Sequence, residues 1–430
     1  MPSGSLEDYS ALLLDRGRDS VDPLEVERLR RVLKAKEPGS DLLELDDQQL
    51  LSRLGIASED QDRRLTIAGL LLVGQEDIIR RTLPGYEATY LHMQTDTDYD
   101  RRIDSRRPLL ALLEQFTEAV EPHNKLFTLK LGMFHFEIPE FPQEVYREAL
   151  LNALTHRDYT RPGPVYVRHF PDRLEVSNPG GFCGGVNVNN ILGHEPVSRN
   201  RLLAEILQRI RLVERAGMGV KRMYHIMISY GKEPPAYEAG EDYIRVILRS
   251  GRTEAGPSVD EHFARFVASE QKAGRELTLH DLLVLTYLKR NREIDLTEAE
   301  RILQRGEGET REAINSMTAR SLLEPFGHKK GRVYRLGKRV YAQLRKSVGY
   351  QIFRRAEAAY AEGTIMTYLE EMPRDRAFVT NEIVRTLLRV SPTQSHYLLH
   401  NLVKKGKLSM RGRGRGTRYY KARQLSLLDN

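Results

Sequence analysis

The sequence predicts an α+β chain of several domains, in which an α/β layered unit is followed by two mainly helical units. Three observations predict it. Residues 141–250 read in order as helix, strand, strand, long loop, helix, glycine turn, helix and strand. Residues 277–336 and 364–420 each show an apolar helix, two further helices and a basic segment ending in aromatics, a repeat of pattern rather than of identity. Charge is also unevenly placed. The chain holds 67 Lys+Arg against 60 Asp+Glu, a net +7, yet residues 251–430 alone carry 34 basic against 21 acidic side chains. An acidic front and a basic rear suit a nucleic-acid-binding tail on a nearly neutral engine.

Composition narrows the class. Four hundred and thirty residues leave room for about three domains. Forty per cent hydrophobic and 30% charged residues fit a folded chain and not a disordered one. A single cysteine, Cys183, excludes a disulfide framework and any CxxC zinc site. No run of about 18 apolar residues occurs, so no membrane partner is expected. The start, MPSGSLE, lacks the basic-then-apolar layout of a secretion signal, and a cytoplasmic location is expected.

Taken in order, residues 1–60 read as a helical N-terminal segment, with amphipathic turns at 26–32 and 47–54. Residues 61–140 read as a connecting α/β region. Its apolar run LTIAGLLLVG (65–74) suits either a buried helix or a buried strand, and periodicity does not choose between them. A strand at 86–93, an exposed loop at TDTDYDRR and a leucine-rich helix over 107–122 follow. The 141–250 unit opens with the helix FPQEVYREALLNALTHRDY, where Pro142 occupies a first-turn position that tolerates proline. PVYVRHF and RLEVSN, separated by Pro-Asp, form a hairpin. A loop rich in glycine and asparagine (178–193) leads to the helix RNRLLAEILQRIRL, the turn ERAGMGV and the strand YIRVIL. Residues 251–276 read as a linker, 277–340 and 363–424 as the two repeated units, and 341–362 as a connecting helix.

The chemistry concentrates on the helix that opens the 141–250 unit. Glu148, Asn152 and His156 are spaced four residues apart, so they lie along one slowly drifting stripe. A carboxylate beside a carboxamide can do two linked jobs. Glu148 can orient and deprotonate a water, and the Asn152 carbonyl oxygen can hold Mg²⁺, a hard cation that prefers oxygen ligands. The same spacing also describes an ordinary solvated helix face. Residues further along the chain add weight to the first reading. Asn178, Gly180 and Gly181 end a strand where backbone can approach a flat ligand. Gly217 and Gly219 precede a helix whose N-terminal N–H groups suit phosphate. Arg199 and Asn200 open the helix after the long loop, where a guanidinium can reach a terminal phosphate. His156 reads as a neutral donor or as a structural histidine, and Cys183 as incidental.

This ordered set resembles the ATP-binding unit (the GHKL, or Bergerat, α/β sandwich) shared by DNA gyrase, the Hsp90 chaperones, histidine kinases and the MutL repair proteins. By that resemblance Glu148 is the catalytic acid, Asn152 the magnesium ligand, Asn178 with Gly180 the adenine-side box and Gly217 with Gly219 the phosphate-side box. More narrowly, REALLNALTHRDY, DRLEVSNPGG, SRNRLLAEIL and VERAGMGVKRM resemble bacterial transcriptional regulators of the Schlafen-AlbA type. The likeness covers residues 60–250, with the Schlafen-like domain mostly missing. It implies ATP and Mg²⁺ as cofactors. Asn178 stands where the wider superfamily carries aspartate. Its amide oxygen accepts from an exocyclic amine without charge assistance.

In the basic rear, SPTQSHYLLHNLVKKG places Tyr397, Leu398, Leu402 and Val403 inward and Thr393, Gln394, Ser395 and Lys404 outward. Lys404, Lys405, Arg411, Arg413, Arg415 and Arg418 then line a glycine-punctuated hairpin that can follow phosphates. The arrangement reads as a winged helix-turn-helix contacting double-stranded DNA. A charged hairpin on a protein-binding domain is the plainer reading. The expected whole is a homodimeric, ATP-binding transcriptional regulator with slow Mg²⁺-dependent ATPase activity. The alternatives are a DNA-dependent ATPase of repair or phage defence, or a nucleotide-binding pseudoenzyme that scaffolds partners. The chain lacks the G-x-x-x-x-G-K-[ST] loop that a helicase motor uses to cradle phosphates.

Overall fold

Asp22 accepts a hydrogen bond from the Leu24 N–H, and Pro23 follows at a position that needs no donor, so helix α1 (Pro23–Lys36) starts there. Its Val26, Leu29 and Leu33 point into the core. A capping box between Asp46 and Gln49 starts α2 (Asp47–Leu54), and Gly55 ends it in the left-handed conformation. The ambiguous run LTIAGLLLVG forms α3 (Ile67–Val73), with all seven residues buried. A computed structural model describes residues 8–15, 18–60, 62–131, 134–213, 217–253, 256–257, 259–327, 332–344, 361–373, 377–388, 392–412 and 417–422. The side chains of 129–136, 252–257 and 392–394 are outside that description.

Helix α4 (Glu76–Thr82) precedes β1 (Ala88–Met93) and β2 (Tyr99–Ser105). The polar stretch expected as a loop is therefore partly strand; its exposed side chains suit a sheet edge. After α5 (Leu109–Val120) comes a separate hairpin, β3 (Leu126–Leu131) with β4 (Phe134–Pro139). Then follow α6 (Gln143–His156), β5 (Val165–His169), β6 (Arg173–Pro179), α7 (Arg201–Arg209), α8 (Met218–Ser229), β7 (Ala236–Ala239) and β8 (Tyr243–Arg249).

Six strands make one mixed sheet in the order β2-β1-β5-β6-β8-β7, parallel at β1–β5 and antiparallel elsewhere. Across it Tyr90, Val167, Val176, Val246 and Tyr237 sit side by side, and they join the core shared with the helices. Residues two positions along share that face, so Asn178, paired with Ile244, also points toward the helices. The opposite face carries Arg168, Glu175, Arg245 and Glu238, linked by ion pairs from Arg245 to Glu175 and Glu238.

The core corrects the expected boundaries. Side chains from Val26 to Leu248 belong to one buried cluster, so the segments 1–60, 61–140 and 141–250 fold around a common interior. The expected linker also differs. After the short pair β9 (Arg252–Thr253) and β10 (Gly256–Pro257), residues Glu261–Lys272 form α9, capped by Asp260 and burying Phe263 and Phe266.

The chain divides into two units between Leu282 and Leu283. Helix α10 (Leu279–Arg290) leads into the second, where α11 (Leu296–Leu303), α12 (Glu307–Ala319) and the hairpin β11 (Leu323–Phe326)–β12 (Val333–Leu336) follow. Helices α13 (Lys338–Gln343) and α14 (361–371) come next; most of the expected connecting helix at 341–362 lies outside the described residues. Then come α15 (Asn381–Leu388), α16 (Pro392–Lys404) and the hairpin β13 (Leu408–Arg411)–β14 (Arg418–Lys421). Ile294 bridges Tyr334 as Val379 bridges Tyr419, so both segments place one extended residue against the second strand of their hairpin.

Candidate functional site

Helix α6, the end of β6, the loop 181–198, α7 and the start of α8 line a partly open cavity of about 400 Å³, within the range for small-molecule sites. Glu148, Asn152, Thr155 and His156 line one wall and Asn178 the floor beside Val176. Gly217 and Gly219 lie opposite α6, and Gly181 and Cys183 belong to the covering loop.

The acid and the amide meet directly. Asn152 Nδ2 donates to Glu148 Oε1 at 3.0 Å, which leaves the Asn152 carbonyl oxygen as the end suited to a cation. The same Glu148 oxygen lies against Gly219, where an added Cβ would fall 1.7 Å away. Only glycine admits the carboxylate at the mouth of α8. Gly217, with φ +64°, turns the chain into that helix and, as its N-cap residue, has no side chain to bond the first N–H groups. Tyr237 lies on the sheet side of Glu148. Burial, with the charges of Tyr224 and Glu148, pushes its phenol well up, so it stays protonated. His156 is pushed down to about 4 by burial and by Arg199, and is neutral in ordinary buffers.

Other expected ligands have structural work instead. Asn200 is buried, and its Nδ2 donates to the carbonyls of Thr155 and Arg157 at 2.8 Å, tying α7 to the end of α6. Arg199 donates to the Gly181 carbonyl (3.0 Å) and pairs with Asp158 (3.5 Å) rather than lining the cavity. Gly180 has φ +96°, and its added Cβ would meet Asp158 Cβ at 2.7 Å. The missing side chains at Gly180 and Gly181 therefore accommodate Asp158 and the carbonyls of Gly240 and Glu241, not a ligand.

Two residues escaped the sequence reading. Arg157 is fully buried and donates to the carbonyls of Asp158, Gly85, Arg161 and Gly163, which knots the turn behind the cavity. Thr155 lines the cavity beside it. Neither has a motif; an arginine at a helix end reads as solvated.

In the second unit, the expectations for α16 are partly overturned. Ser395 is buried and donates to the Asn381 carbonyl at 3.0 Å, so it faces the core, whereas Tyr397, expected inside, is 66% exposed. Leu402 is buried as expected, but Leu399 and Ser395 take the inward places above it and Tyr397 does not, a rotation of the stripe by part of a turn. Lys404, Lys405, Arg411 and Arg418 are exposed; Lys405 and Lys407 pair with Glu362, and Arg418 stacks on Phe378. The side chains of Thr393 and Gln394, and Arg413 and Arg415 entirely, lie outside the described residues.

Residues 163–248 match the family HATPase_c_4, described as "Putative ATP-dependent DNA helicase recG C-terminal". An ATPase-like domain is therefore present. The match includes Asn178, Gly217 and Gly219 and begins after α6. Residues 4–89 match a domain of unknown function, DUF8451. No curated protein matches the chain. The crystal structure of the DIP2311 protein from Corynebacterium diphtheriae is similar over 79% of this chain, with 27% identity and a TM-score of 0.66. The chain spans 66% of that protein's length. No helix among the described residues is long and apolar enough to cross a membrane.

Proposed function

We propose that the first unit binds ATP with Mg²⁺ and hydrolyses it slowly, as the switch of a DNA-binding regulator. One observation carries the reading: Glu148 is held by Asn152 at the N-terminus of α8, inside the cavity. The N-terminal N–H groups of α8 suit phosphate oxygens, and Glu148 can take the proton of an attacking water. No cluster of three His, Cys, Asp or Glu side chains among the described residues could hold a metal alone. That fits a cation arriving with the phosphates, since Mg²⁺ keeps waters and few protein ligands. Asn152 would hold it, and the ion would neutralise the phosphate charge. The engagement of Arg199 with Asp158 and Gly181 argues for slow turnover, because it removes one candidate charge from the phosphates.

The regulator half of the proposal rests on the basic rear of the chain. Lys404, Arg411 and Arg418 lie on α16 and on the hairpin after it, and they suit contact with a DNA backbone. A second copy of the chain would supply a second half-site. Calorimetric titration of the full chain with ATP and Mg²⁺ tests the nucleotide half, paired with Glu148→Ala. The variant should bind like the wild type and lose turnover. A wild type that takes up no heat with ATP refutes the reading.

A further inference from the structure

Thr155 sits one residue before the end of α6, with 3% of its surface exposed, and lines the cavity. Its hydroxyl has no hydrogen-bond partner among the described residues. A helical threonine has a ready refuge in the carbonyl one turn back, and this chain uses it repeatedly. Thr117 donates to Leu113, Thr318 to Ile314 and Thr386 to Glu382, at 2.7, 2.8 and 3.1 Å. Thr155 does not. Its backbone is fixed, since its carbonyl accepts from buried Asn200. A buried hydroxyl left unsatisfied destabilises the ligand-free fold, and valine would fill the same space without that cost.

Asn178 shows a matching feature on the neighbouring strand. Its Nδ2 donates to the Pro179 carbonyl at 3.1 Å, so the carboxamide oxygen is the end left for a ligand. Asn178 and Thr155 line the same cavity. Seven residues separate Thr155 from Glu148, about 10 Å along the helix. That distance suits an extended nucleotide with phosphates at Gly219 and its base at Thr155.

We infer that Thr155 is a ligand-contacting residue whose hydroxyl bonds the polar edge of the base, beside an acceptor supplied by Asn178. This rests on the nucleotide reading above. A hydroxyl both donates and accepts, whereas the Asn178 oxygen only accepts, so together they take a base edge carrying an amine next to a ring nitrogen.

The test compares the full chain with Thr155→Val and Thr155→Ser, by calorimetry with Mg²⁺–ATP and with Mg²⁺–tripolyphosphate, which has no base. Thr155→Val should weaken ATP about five- to tenfold and leave tripolyphosphate unchanged, while Thr155→Ser stays within about twofold of wild type. The ligand-free melting temperature of Thr155→Val should hold or rise by about 2 °C. Wild-type ATP affinity in Thr155→Val overturns the contact. So does an equal loss for tripolyphosphate, or a fall in the ligand-free melting temperature. A wild type that binds neither probe overturns the nucleotide reading and this inference with it.

Discussion

Substituting Gly219 with alanine separates folding from catalysis at a single atom. The new Cβ would lie 1.7 Å from Glu148 Oε1 and 2.5 Å from its Cδ. Ordinary contact begins near 3.4 Å, so the carboxylate must retreat by about 1.7 Å and give up its 3.0 Å bond to Asn152. A misplacement of about 1 Å can lower a rate about 10²-fold, and turnover of Mg²⁺–ATP should fall at least that far. Stability should scarcely change. The displaced atoms are the tip of a flexible side chain, and replacing glycine in a helix gains at most about 1 kcal/mol, against about 1 kcal/mol for the lost hydrogen bond. Steady-state phosphate release and a thermal melt read the two effects separately. In combination with Glu148→Ala the substitution should add almost nothing, because both remove the same placed carboxylate. Wild-type turnover in Gly219→Ala, or a large further loss in the double variant, would refute the reasoning.

Four other outcomes are expected. Arg157→Met removes the donor to four backbone carbonyls, and urea unfolding should show a loss of about 2–4 kcal/mol. His156 and His169 are held down to about 4 and about 3, mainly by burial, so the unfolded chain takes up protons first as pH falls below about 6.5. Stability is therefore complete above that pH and declines toward pH 4; melting temperatures across the range should show it, with a shallower slope in His169→Gln. Replacing Lys404, Arg411 and Arg418 together by alanine should reduce the salt dependence of DNA binding, read as log affinity against log salt, by about 2 to 3 in slope. Ser395→Ala, by contrast, should lower the melting temperature of the second unit and leave the salt slope intact, since the hydroxyl faces Asn381.

Much of the first unit is legible in the sequence because its signals are periodic. The stripe Glu148, Asn152, His156 and the turn Gly217–Gly219 converge on one cavity, as helical spacing and a left-handed glycine imply. Legibility ends where a polar residue serves backbone instead of ligand. Asn200 caps by holding the last carbonyls of another helix, 43 and 45 residues away in sequence, and no local pattern announces such a partner. Short edge elements also escape: β7 has four residues, mostly exposed, and draws its order from pairing with β8. Helix α9 is within reach, since Phe263 and Phe266 stand one turn apart behind the capping residue Asp260. On α16 the inward stripe differs from the expected one because Tyr397 is as apolar as its neighbours, and only tertiary packing decides which side it takes.

The interior common to residues 26–248 makes occupancy of the cavity a property of distant segments. A ligand that holds α6 and α8 together stabilises every element that must open with them. Proteases cutting near Lys36, far along the chain from Glu148, should therefore slow as ligand is added, turning the N-terminal helices into a gauge of what the cavity contains.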